Sequence, residues 1–228
     1  MSYRYKSSLL LGHIELTQKQ DKFHKIMRSP KTRVVFISGP AGTAKTFLSV
    51  YTALYKHNED NQLKILYLRS LAESAEKGIG FLKGSMDDKF NPYMGPLEDK
   101  LDELLNQQEK DQIHHRNALD AAPINFLRGA TWKNKVVIVD EAQNMTVKEI
   151  TTIVTRISEG TTLFLCGDVM QSDIRSAGFE KFCVTFDDEE SEGYGIYHLQ
   201  FTKKDIMRDK IISYLVDKIE KSDLNKYN

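Results

Sequence analysis

Two kinds of apolar pattern alternate along this chain. Residues 34–38, 64–68, 136–140 and 162–166 form short, near-continuous apolar runs rich in β-branched residues, and 196–199 is a fainter fifth. Unbroken runs of this length are the pattern of parallel strands covered on both faces, whereas a strand with one wet face would alternate. Between them the apolar spacing turns helical. Residues 45–55 set Leu48, Tyr51 and Tyr55 on one face, and Leu97, Leu101, Leu104 and Leu105 make a second stripe. Thr146 and Glu149 have the spacing of a capping box, which predicts a helix start with Ile150, Val154 and Ile157 turned to the sheet. A last helix is predicted over 202–221, with Ile212, Leu215, Val216 and Ile219 as its stripe. Strands alternating with helices imply an α/β fold with a mostly parallel sheet. Two segments break the alternation. Residues 78–96 hold Gly78, Gly80, Gly84, Pro92, Gly95 and Pro96 and read as a long loop pinned by Phe81, Phe90 and Tyr93. The acidic run Asp187, Asp188, Glu189, Glu190 and Glu192 reads as a solvated loop between the last strands.

Composition narrows the class. The 228 residues carry 32 Lys+Arg against 32 Asp+Glu, a formal net charge of zero. That excludes a polybasic protein whose whole surface grips phosphates and leaves room for a local basic groove. The length suits one large domain spanning residues 1–228. No apolar run approaches the ~18 residues needed to cross a bilayer. Leu9, Leu10 and Leu11 lie in an N-terminal segment without the long apolar stretch or cleavage site of a signal peptide. Cys166 and Cys183 make neither a disulfide framework nor a zinc motif, so the expected compartment is the reducing cytoplasm.

The chemistry begins at Gly39-Pro40-Ala41-Gly42-Thr43-Ala44-Lys45-Thr46, which directly follows the first strand and opens a helix. This strand–loop–helix context is what a phosphate-binding loop requires. Its glycines let successive N–H groups point inward at phosphates, beside the positive end of the helix. Lys45 supplies a charge for the β- and γ-phosphates, and the Thr46 hydroxyl a ligand for Mg²⁺. Ala44 stands where such loops usually carry glycine, which is tolerable at negative φ and costly otherwise.

The strand at 136–140 ends in Asp140-Glu141, two carboxylates at the tip of an apolar run. Unpaired buried acids are expensive, so a cation is the natural reason for the first of them. Asp140 is expected to hold Mg²⁺ opposite Thr46, and Glu141 to orient or deprotonate an attacking water. A phosphotransferase needs only the metal-binding acid, so the second acid argues for hydrolysis. The next strand ends in Gly167-Asp168 and then Gln171, placed to sense the γ-phosphate or the water, with Asp168 fixing the loops around it.

The segments GPAGTAKT, LRSLAESAEKGIGFLKGSMDDKFNPYMGPL, PINFLRGATWKN, VVIVDEAQNMT, LFLCGDVMQSD and FTKKDIMRD resemble the PhoH family of phosphate-starvation-inducible ATPases, over roughly residues 17–209. The resemblance implies a RecA-like P-loop NTPase core related to superfamily 1 helicases, with ATP and Mg²⁺ as ligands. It marks residues 1–30 as an adenine-recognition segment ahead of a 31–228 core. There Gln20 would read the adenine edge, with Thr17 and an aromatic, Phe23, close by; a carboxamide donates and accepts at once, as the adenine N6–N7 edge demands. It also singles out Arg69 and Arg128, each open to phosphate, nucleic acid or nearby acids. Arg208 matches the arginine of the family's C-terminal motif, although Asp209-Lys210 replaces the usual His-Pro. The resulting expectation is an ATPase coupled to single-stranded RNA or DNA. Its rival is a nucleotide-gated RNA- or protein-binding module with negligible turnover. A single core lacks a second domain to donate an arginine to the γ-phosphate, so a homo-oligomeric ring is expected, for example a hexamer, with Arg208 acting across the boundary; the alternative is donation in cis, from a last helix packed back on its own sheet.

Overall fold

The computed structural model describes residues 14–70, 86–124 (backbone alone for 86–94), 131–172 and 177–207, with Leu9, Leu11 and the helical positions 211, 214, 215 and 218. Phe81, Arg128, Arg208, the side chains of Phe90 and Tyr93, and most of the expected last helix lie outside the described residues.

Six parallel strands make one sheet: β1 (Val34–Ser38), β2 (Lys64–Arg69), β3 (Leu119–Pro123), β4 (Lys135–Asp140), β5 (Thr162–Gly167) and β6 (Ile196–Gln200), in the order β3-β2-β4-β5-β1-β6. Strand residues divide by parity between two buried layers. Val35, Ile37, Ile65, Tyr67, Val136, Ile138 and Phe164 face one side, and Val34, Phe36, Leu66, Leu68, Val137, Val139 and Leu163 the other. This is why the central runs are nearly continuous: in β1, β4 and β5 almost every position is buried, worth ~1.5–3 kcal/mol for each large side chain. The first layer is covered by α1 (Gln18–Arg28), α2 (Lys45–Glu59), α3 (Met86–Leu104) and α4 (Gln107–His115) through Met27, Leu48, Leu54, Leu97, Leu101 and Ile113. The second is covered by α5 (Val147–Val154) and α6 (Phe179–Thr185), with Trp132 buried in the same layer. A short α7 (Glu189–Gly193) leads into β6.

Several expectations need correction. Strand β3 was not anticipated, because its five residues, Leu-Asp-Ala-Ala-Pro, are short and mixed; it sits at the sheet edge, where proline and a polar residue are tolerated. The expected loop 78–96 is helical from Met86 onward. Pro92, Gly95 and Pro96 oppose helix, but full burial of Leu97 and Leu101 outweighs local propensity. The acidic run forms α7 rather than a loop, with the Asp188 side chain accepting from the Ser191 N–H at 2.7 Å. The capping box of Thr146 and Glu149 is present, but Ile153 is buried beside Ile150 while Val154 and Ile157 are only partly covered. At 202–205 the chain makes a capped 3-10 turn rather than the start of a long helix, and Leu215 of the expected stripe is 46% exposed. Among the described residues no helix is long and apolar enough to cross a membrane.

Candidate functional site

All six strands point the same way, so β1, β4 and β5 deliver their C-terminal tips to one edge. Strands β1 and β4 flank β5, while the chain leaves β1 through α2 to reach β2 beyond β4. A crevice at this kind of reversal is where open α/β sheets bind ligands. Here it is a cleft of about 480 Å³, lined on its floor by Lys45, Thr46, Asp140, Glu141 and Asp168 and on its wall by Gln20 and Met207.

The phosphate loop has the conformation that its glycines allow. Gly39 has φ 152°, and a Cβ there would lie 2.6 Å from Cβ of Phe201, so backbone angle and close approach both demand glycine. Ala44 has φ 64°, in the left-handed region, so the tolerable negative φ is not realised; the residue is strained by ~1–2 kcal/mol relative to glycine. No side chain caps α2, so its first-turn amides, which have no acceptor within the helix, are presented to the cleft. The Lys45 ammonium donates to the carbonyls of Gly39 at 2.6 Å and Pro40 at 2.9 Å. Burial pushes its pKa down from the ordinary lysine value, and Asp168, Cys166, Asp140 and Glu141 offset part of that shift. Thr43 is fully buried and donates to the Pro40 carbonyl at 2.8 Å, bracing the loop rather than facing the cleft.

Asp140 is 8% exposed and engaged at both oxygens. Thr46 Oγ1 donates to Oδ1 at 2.8 Å, and the hydroxyl of Tyr67 donates to Oδ2 at 2.6 Å. The Tyr67 phenol lies far above its ordinary pKa, through burial and then the carboxylate, so it is a donor only. Glu141, one residue on, also has a left-handed backbone, φ 57°. Gln143 Nε2 donates to Glu141 Oε2 at 2.6 Å, and Arg69 Nη2 is 3.7 Å from Oε1. Arg69 thus faces an acid, one of the roles open to it. Gln143 also accepts from the Asp168 N–H at 3.1 Å and so ties the tip of β4 to that of β5. Asp168 caps the turn that carries Gln171, accepting from the Met170 N–H at 3.0 Å. Gln171 itself is exposed on the cleft wall.

The other wall comes from α1 and the segment that follows β6, far apart in sequence. Thr17 caps α1, and Gln20 closes the capping box by accepting from the Thr17 N–H at 2.9 Å. This fixes Gln20, 3% exposed, with its Nε2 toward the Met207 sulfur. Met207 donates its N–H to the Gly42 carbonyl at 3.1 Å, so the segment after β6 spans from the phosphate loop to α1. Lys19 and Asp205 pair at 2.7 Å across the same junction. Phe23 does not line the cleft: it is 7% exposed in the core, its ring 4.9 Å from that of Phe201. Thr17 acts on the cleft only through Gln20. Tyr67, Gln143 and Met207 escaped the sequence reading. A tyrosine in the middle of an otherwise aliphatic strand was the one available signal for Tyr67; Met207 carries none.

The residues suit Mg²⁺ by their chemistry. Thr46 Oγ1 and Asp140 Oδ1 are hard oxygen donors held together by their own bond, and among the described residues no cluster of three or more His, Cys, Asp or Glu offers a competing metal site.

A profile of the family described as PhoH-like protein matches residues 14–220. A PhoH-like protein of Synechocystis is 30% identical over 210 residues, covering 91% of this chain and 62% of that protein. A PhoH-like protein of Bacillus subtilis is 31% identical over 189 residues, covering 82% and 58%. The chain therefore spans about 60% of the length of these relatives. In structure it resembles the large terminase of a thermophilic bacteriophage, solved in complex with ADP, with TM-score 0.53 and 12% identity over 89% of this chain and 50% of that one. The fold is the expected RecA-like P-loop core.

Proposed function

The chain belongs to the PhoH family, and on that premise we propose that it hydrolyses ATP to ADP and phosphate with Mg²⁺ as its cation. One observation carries the reading: Thr46 at the start of α2 and Asp140 at the tip of β4 are bonded at 2.8 Å on the floor of the cleft that Lys45 and Glu141 also line. Mg²⁺, held by Thr46 and Asp140, would neutralise charge on the phosphate oxygens. Lys45 and the first-turn amides of α2 bind the phosphates, and Gln20 orients the base through its fixed Nε2. Water attacks the γ-phosphorus, its proton passes to a Glu141 oxygen, and the bond to the ADP oxygen breaks. Gln171, on the wall above, reports the state of the γ-phosphate to its loop. Coupling to single-stranded RNA or DNA, a homo-oligomeric ring with Arg208 reaching a neighbour's γ-phosphate, and a cytoplasmic location belong to the same proposal.

The Glu141 contacts favour a second reading, a nucleotide-gated module with little turnover: both its oxygens are directed to protein partners, Gln143 and Arg69. Phosphate release by wild type and Glu141→Gln, with and without single-stranded RNA or DNA, tests both. Loss of a positioned base should lower the rate by on the order of 10²–10⁴-fold while ATP binding persists. Wild type that binds ATP but releases no phosphate under any condition hands the case to the second reading.

A further inference from the structure

We infer that Tyr67 is a positioning residue for the cation, locking the Asp140 carboxylate so that one chosen oxygen faces Thr46. The inference rests on the Mg²⁺–nucleotide reading of the cleft. A carboxylate turns freely about its last torsion, and one hydrogen bond leaves either oxygen able to take either role. Asp140 has two bonds, one on each oxygen. Thr46 holds Oδ1 at 2.8 Å, and Tyr67 holds Oδ2 at 2.6 Å.

The position of Tyr67 makes the second bond rigid. In the β2–β4 register Tyr67 pairs with Ile138 and Arg69 with Asp140, so the phenol lies on the diagonal beside Asp140 and on the same face of the sheet. Long side chains reach across that diagonal. Tyr67 is fully buried among Ile65, Ile138 and Phe164, so the ring cannot swing away. A phenylalanine would fill the same space without a hydroxyl to satisfy. The hydroxyl's partner is Asp140 Oδ2, and the consequence is that Oδ1, paired with the Thr46 hydroxyl, is the oxygen turned to the side where Thr46 would join it on the cation.

The test reads cation dependence rather than turnover. A fluorescent ADP analogue is titrated against wild type, Tyr67→Phe and Ile65→Val, in EDTA and across a MgCl₂ series, alongside thermal melts. Ile65→Val trims the same buried face without touching Asp140. For Tyr67→Phe, affinity in EDTA should stay within about twofold of wild type, while the half-saturating Mg²⁺ concentration rises about tenfold, the scale of one lost charge-assisted bond. Ile65→Val should keep the wild-type Mg²⁺ curve whatever its melting temperature. A Tyr67→Phe curve that superimposes on wild type, or a loss equal in EDTA and Mg²⁺, overturns the inference and leaves Tyr67 a packing residue. Wild type whose nucleotide affinity ignores Mg²⁺ altogether overturns the metal-site reading, and this inference with it.

Discussion

The two walls of the cleft are built in opposite ways. The phosphate side is one contiguous octapeptide, residues 39–46, plus the tips of β4 and β5, all anchored in buried strands. It carries backbone strain, with Ala44 and Glu141 both at positive φ. The base side joins residues nearly two hundred positions apart: Gln20 to Met207 by a side-chain contact and Lys19 to Asp205 by an ion pair. It is unstrained, since Thr17 and Gln20 form a standard capping box. On the proposed reading, strain concentrates where charge must be met at fixed geometry, and the half that would orient the base is held by ordinary caps and contacts.

The comparison can be broken by a ligand lacking a base. If the halves act separately, variants on the phosphate side weaken ATP and inorganic tripolyphosphate alike, and variants on the base side weaken ATP alone. Lys45→Ala should have the largest effect, on the order of 10²-fold for both ligands, because it removes the charge that meets the phosphates. Unchanged affinity in an equilibrium titration would remove Lys45 from the site. Gln20→Ala comes next, at about tenfold for ATP, less for CTP and none for tripolyphosphate. An equal loss for all three ligands would mean that Gln20 serves only to cap α1.

The phosphate side was legible because it is local. An octapeptide after a β-branched run announces its loop, and Asp140-Glu141 at the end of an apolar strand announces two acids on the cleft floor. The base side was legible only as far as Gln20, and there through family resemblance. Its other half, Asp205 to Met207, lies in a segment whose spacing suggests a helix, and nothing local says that it folds over the phosphate loop. Phe23 sits in the core rather than the cleft because an aromatic one turn after Gln20 serves a base or a core equally well by spacing; contact with Phe201, far along the chain, decides for the core. The same reason hid β3, whose only pairing among the described residues is with β2. Buried layers in a parallel sheet are encoded strand by strand, whereas edges and closures depend on partners distant in sequence.

Ala44→Gly sharpens the claim that strain sits on the phosphate side. Glycine adopts φ 64° without a Cβ clash, so the variant should gain about 1 kcal/mol in unfolding free energy. Glycine's extra freedom in the unfolded chain works the other way and sets the gain near the low end. A urea titration at fixed temperature measures it, and a loss of stability would show that the loop relaxes to an unstrained φ in solution.

The smallest effect belongs to Lys19→Met, which probes how α1 and the segment after β6 are fastened together. The side chain keeps its length but loses the charge, which meets Asp205 and also lies over the Phe23 and Phe201 rings, whose centroids are both 5.8 Å from the ammonium. Lys19 and Asp205 are partly exposed, at 33% and 17% of their side chains, so the pair should contribute no more than about 1 kcal/mol and be screened by salt. Asp205 keeps its bonds to the Thr202 N–H and hydroxyl, so the turn after β6 survives and only its attachment to α1 loosens. ATP affinity should then fall about two- to threefold at low salt, tripolyphosphate affinity should not move, and the difference from wild type should shrink in about 0.5 M NaCl, where the Debye length is only a few ångströms. A loss that persists in high salt would place the fastening in the contact of the Lys19 ammonium with the Phe23 and Phe201 rings instead of the ion pair.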